Sequence, residues 1–305
     1  MENNHNYHIP VLLNDCIDAL DIDPNGTYVD VTFGGGGHSK EIFKLLSKKG
    51  QLISFDQDKD AEKNTWDAPN FHFVATNFEH ISNHLRALGI KQVDGILADL
   101  GVSSHQFDEV ARGFSFQGDA KLDMRMNQHA ELSAEELINN YKESELVRVF
   151  SSYGEVKNSR KLASTIIAAR LSKRIKTTGE LTTIIERCAP KYKEHKYFAQ
   201  VFQAIRIEVN SEMRALESFL IQCERLIKPG GRLVVMSYHS LEDRPVKNYM
   251  KRGSLTGEIA KDFYGNILKP FTEIERKPIT PNDNEIERNS RARSAKLRIA
   301  ERNGE

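Results

Sequence analysis

Residues 29–39 read VDVTFGGGGHS. Alternating β-formers run into four consecutive glycines, and a glycine run is entropically costly in any folded element. That cost implies a backbone that something must approach closely. Strand and helix patterns alternate around the run. Residues 27–33 alternate like a strand, and 39–46 place Ile42, Phe43, Leu45 and Leu46 at helical spacing. Residues 51–55 form a second strand pattern ending at Asp56, and 71–75 a third. A helix over 81–88 stops at Gly89, and a fourth strand over 93–100 carries Asp99 near its end. Strands separated by helices predict an α/β fold built on a doubly wound, mostly parallel sheet.

With 305 residues the chain has room for two domains, or one with a large insertion. Hydrophobic residues make up 39% and charged residues 28%, enough apolar content to bury a core. Lys+Arg and Asp+Glu both number 43, so any nucleic-acid-binding surface must be local. Cys16, Cys188 and Cys223 are odd in number and far apart, fitting neither a disulfide framework nor a zinc spacing. No metal site is expected. The amino terminus MENNHNYHIPVLL lacks a basic start and a long apolar stretch, and no apolar run is long enough for a membrane span. A soluble, cytoplasmic protein in a reducing compartment is the expectation; the oligomeric state is not legible.

The next strong strand, RLVVMS at 232–237, follows the turn KPGG and comes more than a hundred residues after Asp99. A crossover needs only a dozen or more. One helix over 198–227 supplies it, with Val201, Phe202, Ile205, Val209, Leu216, Leu220, Cys223 and Ile227 in a single stripe. The surplus, 106–196, reads as mostly helical. The predicted organisation is a sheet domain over 1–105 and 197–305, interrupted by a smaller helical domain over 106–196.

In such a sheet, the turn after the first strand is where backbone meets a nucleotide-like ligand. Asp56 lies 20 residues beyond Gly36, the distance at which an acid reaches ribose hydroxyls. The dinucleotide fingerprint G-x-G-x-x-G is incomplete: Ser39 or Lys40 stands at its third glycine, depending on register. S-adenosylmethionine has ribose and adenine but no phosphate, and needs the close approach and the acid without a pyrophosphate cradle.

HIPVLL, TFGGGGHS, ADLGVSSHQF, RGFSF with LDMRM, FQAIRIEVN, KPGGRLVVMSYHSLEDRPVK, KPITP and RARSAKLR span almost the whole chain. Through them it resembles the MraW/RsmH family, bacterial methyltransferases acting on the exocyclic N4 of a cytidine in small-subunit ribosomal RNA. The resemblance implies a Rossmann-like class I methyltransferase fold with an inserted helical domain, S-adenosylmethionine as cofactor, and ribosomal RNA or the assembling small subunit as partner. It also implies cofactor contacts at Gly36, Gly37, His38, Asp56, Phe78, Asp99 and Gln106. On its residues alone, Phe78 reads equally as a core aromatic, Asp56 as a helix cap, and Gln106 as a solvated loop residue.

Asp99 bears on the chemistry. The lone pair of cytosine N4 is delocalised into the ring, and a hydrogen-bond acceptor on the amine helps to localise it. Asp99 opens DLGVSS, which lacks the prolines of the usual amine-methyltransferase motif. It holds the cofactor, polarises the amine, or caps a turn. After the fifth strand, Tyr238 is a candidate to stack on the target base and His239 to bond its edge or a phosphate, with Ser240 and Asp243 at capping-box spacing. Phe114 is a second stacking candidate. Arg206 and Asn210 share a helix face, serving either the cleft or the inserted domain.

Lys157–Lys176 holds seven basic residues and no acid, and RNSRARSAKLR adds four Arg and one Lys. One-signed runs on a neutral chain suggest phosphate contacts; a solvated helix and a charge-protected edge strand are the alternatives. Two other functions fit parts of the pattern. A nicotinamide oxidoreductase would use the same turn and Asp56, and a non-catalytic ribosome-assembly factor would keep the fold and the basic surface.

Overall fold

A computed structural model describes residues 10–304; His8 and Ile9 of HIPVLL, with the rest of the amino terminus, lie outside the described residues. In chain order the elements are α1 (Leu13–Leu20), β1 (Thr27–Asp30), α2 (Gly37–Leu45), β2 (Gln51–Phe55), β3 (Phe71–Val74), α3 (Ile81–Ala87), β4 (Val93–Asp99) and α4 (Ser104–Asp108). The helices α5 (Ala134–Asn140), α6 (Glu143–Ser152), α7 (Ser159–Ser172), α8 (Thr178–Glu186), α9 (Glu194–Val209) and α10 (Glu212–Leu226) come next. The chain closes with β5 (Ile227–Ser237), α11 (Ser240–Arg252), β6 (Phe271–Glu273), α12 (Asp283–Arg288) and β7 (Lys296–Arg302).

The chain divides into two compact units, one of residues 1–101 with 213–305 and one of 102–212. In the first, the strand order is β3-β2-β1-β4-β5-β7-β6. β1 to β5 are parallel, and β7 runs antiparallel between β5 and β6. Alternation along the strands explains the two cores. Val29, Ile53, Ile96 and Val235 face one side, packing with Leu85 of α3, Phe219 of α10 and Tyr249 of α11. Tyr28, Leu52, Leu97 and Met236 face the other, with Leu20 of α1 and Ile42 of α2. The expected doubly wound sheet is thus present. β1 and β4 are adjacent, and their chains leave toward opposite edges. The carboxyl ends of these two strands flank the topological switch point, where ligands bind in such sheets.

The second unit packs α5 to α9 around Leu137, Leu146, Phe150, Leu162, Ile166, Leu181 and Phe202. Three expectations need correction here. The long crossover helix is two helices: α9 ends at Val209, and Ser211 takes a left-handed φ of 49°. The apparent single stripe serves two cores, with Val201, Phe202 and Ile205 in the helical unit and Leu216, Leu220 and Cys223 in the sheet unit. The division therefore falls after Gly101 and after Glu212, and α9 goes with the insert. Arg206 and Asn210 are internal ties: Arg206 forks onto Glu212 at 2.8 and 2.9 Å, and Asn210 binds Met126 N and Met124 O. Phe114 is buried in this core and is no stacking platform.

The basic runs are partly absorbed by the fold. Arg170 donates to the Ile138 carbonyl at 2.7 Å, Lys173 pairs with Glu180, and Arg174 pairs with Glu135 and Glu136. At the other end of the chain, β7 is an interior strand rather than an edge. Arg298 is buried on it, with Nε 2.6 Å from Asp243 Oδ1.

Candidate active site

The four glycines have different reasons. Gly34 and Gly36 hold left-handed φ of 50° and 74°, which only glycine adopts freely. A Cβ on Gly37 would lie 2.3 Å from Pro10 Cγ. Gly35 has no such constraint: its φ is ordinary, and a Cβ there would meet no protein atom within 4 Å. Nothing in the fold excludes a side chain at Gly35, and the open space above the turn leaves room for a ligand to lie on this backbone. The first-turn N–H groups of α2, those of Gly37 and His38 among them, point out of the helix start without a side-chain cap.

Asp56 closes the turn from β2. Its Oδ2 accepts from Gly34 N at 2.8 Å and its Oδ1 from Asp58 N at 2.8 Å. Burial pushes its pKa up to about 6, against the pull of those two bonds. A carboxylate offers about four acceptor sites, so two remain for ribose hydroxyls. Asp56 is both suited to ribose and a brace of the glycine turn.

Asp99 stands at the end of β4. Its backbone N–H donates to Thr32 Oγ1 at 2.7 Å, and Tyr238 Oη donates to its Oδ1 at 2.9 Å. His38 Nδ1 lies 3.8 Å from Oδ2, while His38 Nε2 is 3.3 Å from the Val11 carbonyl. Burial lifts Asp99 to about 6, with His38 and Tyr238 opposing it. Beneath these, Asp30 accepts from Ser39 Oγ at 2.6 Å and from Thr32 N at 3.0 Å, and burial raises its pKa as well. Three carboxylates thus meet at the strand ends, and among the described residues none has a Lys or Arg partner. A ligand carrying positive charge would relieve their shared desolvation. The sulfonium of S-adenosylmethionine carries such a charge, so open turn, ribose acceptor and carboxylate cluster together fit that cofactor.

Several residues sit otherwise than the sequence suggested. Tyr238 is packed against the core on the α1/α2 side of the sheet, with its hydroxyl committed to Asp99 rather than presented for stacking. His239, not Ser240, caps α11: its Nδ1 accepts from Glu242 N at 3.4 Å, while its Nε2 lies 3.1 Å from Glu242 Oε1. Glu242 in turn accepts from Tyr238 N at 2.9 Å. Phe78 packs edge-on against Phe219 at 5.4 Å and is only partly buried, so part of its ring stays open. Gln106 belongs to the helical unit, where it completes a capping box with Ser103. Sequence reasoning missed Thr32, Asp30, Gly35 and the His38 imidazole. Asp30 alone left a trace, as an acid between two core valines.

A family model described as the MraW methylase family matches residues 5–303. The chain belongs to that family. Like other MraW methylases it draws its methyl group from S-adenosylmethionine. The ribosomal RNA small subunit methyltransferase H of Bacteroides fragilis (strain YCH46) is 54% identical over 301 residues, covering 99% of both chains. Proteins of that name from Bacteroides thetaiotaomicron and Flavobacterium johnsoniae are each 55% identical over 296 residues. They cover 97% of this MraW chain, and 97% and 98% of their own.

Proposed function

We propose that the chain methylates the exocyclic N4 of a specific cytidine in small-subunit ribosomal RNA, in the cytoplasm as that subunit assembles. Names of the relatives support the RNA, and Asp99 supports the amine. When bound, S-adenosylmethionine supplies an electrophilic methyl on sulfur. Asp99 Oδ1 is held by Tyr238, which leaves Oδ2 to accept an N–H of the target amine. That bond localises the nitrogen lone pair for attack. A carboxyl that titrates near 6 is ionised at neutral pH and basic enough to take up the proton released as the C–N bond forms. Gly35, the start of α2 at Gly36, Gly37 and His38, and Asp56 hold the cofactor, with Phe78 at its adenine side. The helical unit serves substrate recognition.

The test is nucleoside mass analysis of small-subunit rRNA after incubation with labelled cofactor. N4-methylcytidine at one site is expected. Label confined to another nucleoside, or to ribosomal protein, would overturn the reading.

A further inference from the structure

On the helical unit, the acid-free run separates into used and unused charges. Lys157, Arg160 and Lys161 are exposed, and none has an ion-pair partner among the described residues, whereas the cations near residue 173 are internally paired. They sit at the start of α7, whose first turn holds no acid, so each opposes the helix dipole. The turn between α8 and α9 is fastened to the same spot. Asn158, between Lys157 and Arg160, donates to the Cys188 carbonyl at 2.9 Å and accepts from Tyr197 Oη at 3.0 Å. Those two bonds bracket the sequence PKYKEHK, 190–196. Within it Tyr192 is 84% exposed, holds a left-handed φ of 65°, and has Lys191 Nζ 5.0 Å from its ring centre. Glu194, the nearest acid in the turn, accepts from Tyr192 N at 2.9 Å. An aromatic ring held out in solvent on a strained backbone, amid lysines, buries nothing for the fold.

We propose that this face binds a single-stranded segment of the RNA substrate, with Tyr192 stacking on a base and Lys157, Arg160 and Lys161 contacting phosphates. The proposal rests on the ribosomal-RNA reading above. Every base has a face to stack, so the ring tolerates sequence while the cations follow the backbone. Charges at the start of α7 and the ring in the neighbouring turn form one surface because Asn158 binds both segments.

The experiment is filter binding of an unmodified small-subunit rRNA fragment across a salt series, with the full chain. Tyr192→Gly removes the ring and suits the left-handed backbone. It should weaken binding about tenfold with little change in salt slope. Neutralising Lys157, Arg160 and Lys161 together to Gln should lower the slope by about two units, at roughly 0.7 per single-strand phosphate contact. Lys173→Gln with Arg174→Gln is the comparison and should leave the slope alone. S-adenosylmethionine affinity by calorimetry should not move in any of them. Unchanged affinity and slope in the first two variants would overturn the proposal. So would a defect seen only with assembled subunits and absent on naked RNA, which would mark the face as a protein contact. Failure of the unsubstituted protein to methylate RNA would instead overturn the parent reading, while the binding slopes still decide this one.

Discussion

Tyr238, at the start of the segment after β5, donates its phenol to Asp99 at the end of β4, 2.9 Å away. The bond joins neighbouring strand ends and favours the charged form of a carboxylate that burial disfavours.

Tyr238→Phe should therefore push the Asp99 pKa further up. The acid limb of the kcat/KM profile, expected near pH 6, should move to higher pH, and kcat should fall at neutral pH. Fold stability should drop by only about 1 kcal/mol. A pH–rate profile paired with thermal melting checks both; an unmoved limb would separate Tyr238 from the chemistry.

Asp99→Asn should trade activity for stability. Folding raises the Asp99 pKa to about 6, so the folded state binds the proton more tightly than the unfolded chain. The resulting penalty is absent below about pH 4, grows as pH rises, and is complete above about 6. Asparagine removes it: methyl transfer collapses, while stability at pH 7.5 rises by up to about 3 kcal/mol and stays level at pH 4. Trp66, the one tryptophan, lies in the sheet unit and reports the melt.

Gly35→Ala and Gly37→Ala should fail in opposite ways. Alanine at 35 meets open space, so stability should hold or gain about 0.4–1 kcal/mol, while S-adenosylmethionine affinity falls. Alanine at 37 strikes Pro10 and should cost about 1–3 kcal/mol of stability. Calorimetric titration and denaturant melts on both variants separate a ligand's need from the fold's.

Arg298→Leu should unfold rather than disarm. Burial raises the Asp243 pKa, but its bonds to Arg298 outweigh that and hold it below the usual range. Removing the guanidinium leaves the carboxylate with Lys296 Nζ, 3.5 Å from its Oδ2, and should cost about 1–3 kcal/mol; Asp243→Asn alongside should restore much of it. The salt slope of RNA binding should be unchanged in the double variant, since Arg298 faces inward.

Most of the sheet was legible because its strands are short apolar runs bounded by turns. β2 matches its expected bounds, and β1, β3 and β4 differ by a few residues at their ends. The α9–α10 break was not legible: apolar periodicity continues across Ser211 although the partners change. Asp56 and Asp99 could be found because each ends a strand beside a glycine turn. Their partners could not, since Thr32, His38 and Tyr238 converge through pairing of strands distant in sequence. Charge runs misled for a related reason. The acids that pair with Lys173 and Arg174 come from other segments, and only the fold shows which cations they consume.

β4 and β5 lie side by side, with Asp99 opposite Met236, yet the whole helical unit intervenes in the chain. Their pairing thus closes a very long loop, and it is the joint on which Tyr238 and Asp99 depend. Closure entropy grows only with the logarithm of loop length, about 0.6 kcal/mol per doubling, so the detour costs little stability. It costs time, because distant pairings form late while helices with local contacts form early. Refolding should show far-ultraviolet helical signal ahead of Trp66 fluorescence, and cofactor binding should appear only with the slower signal. During that interval Asp99 exists in the chain without its setting, and the nascent protein should transfer no methyl group until its last central strands meet.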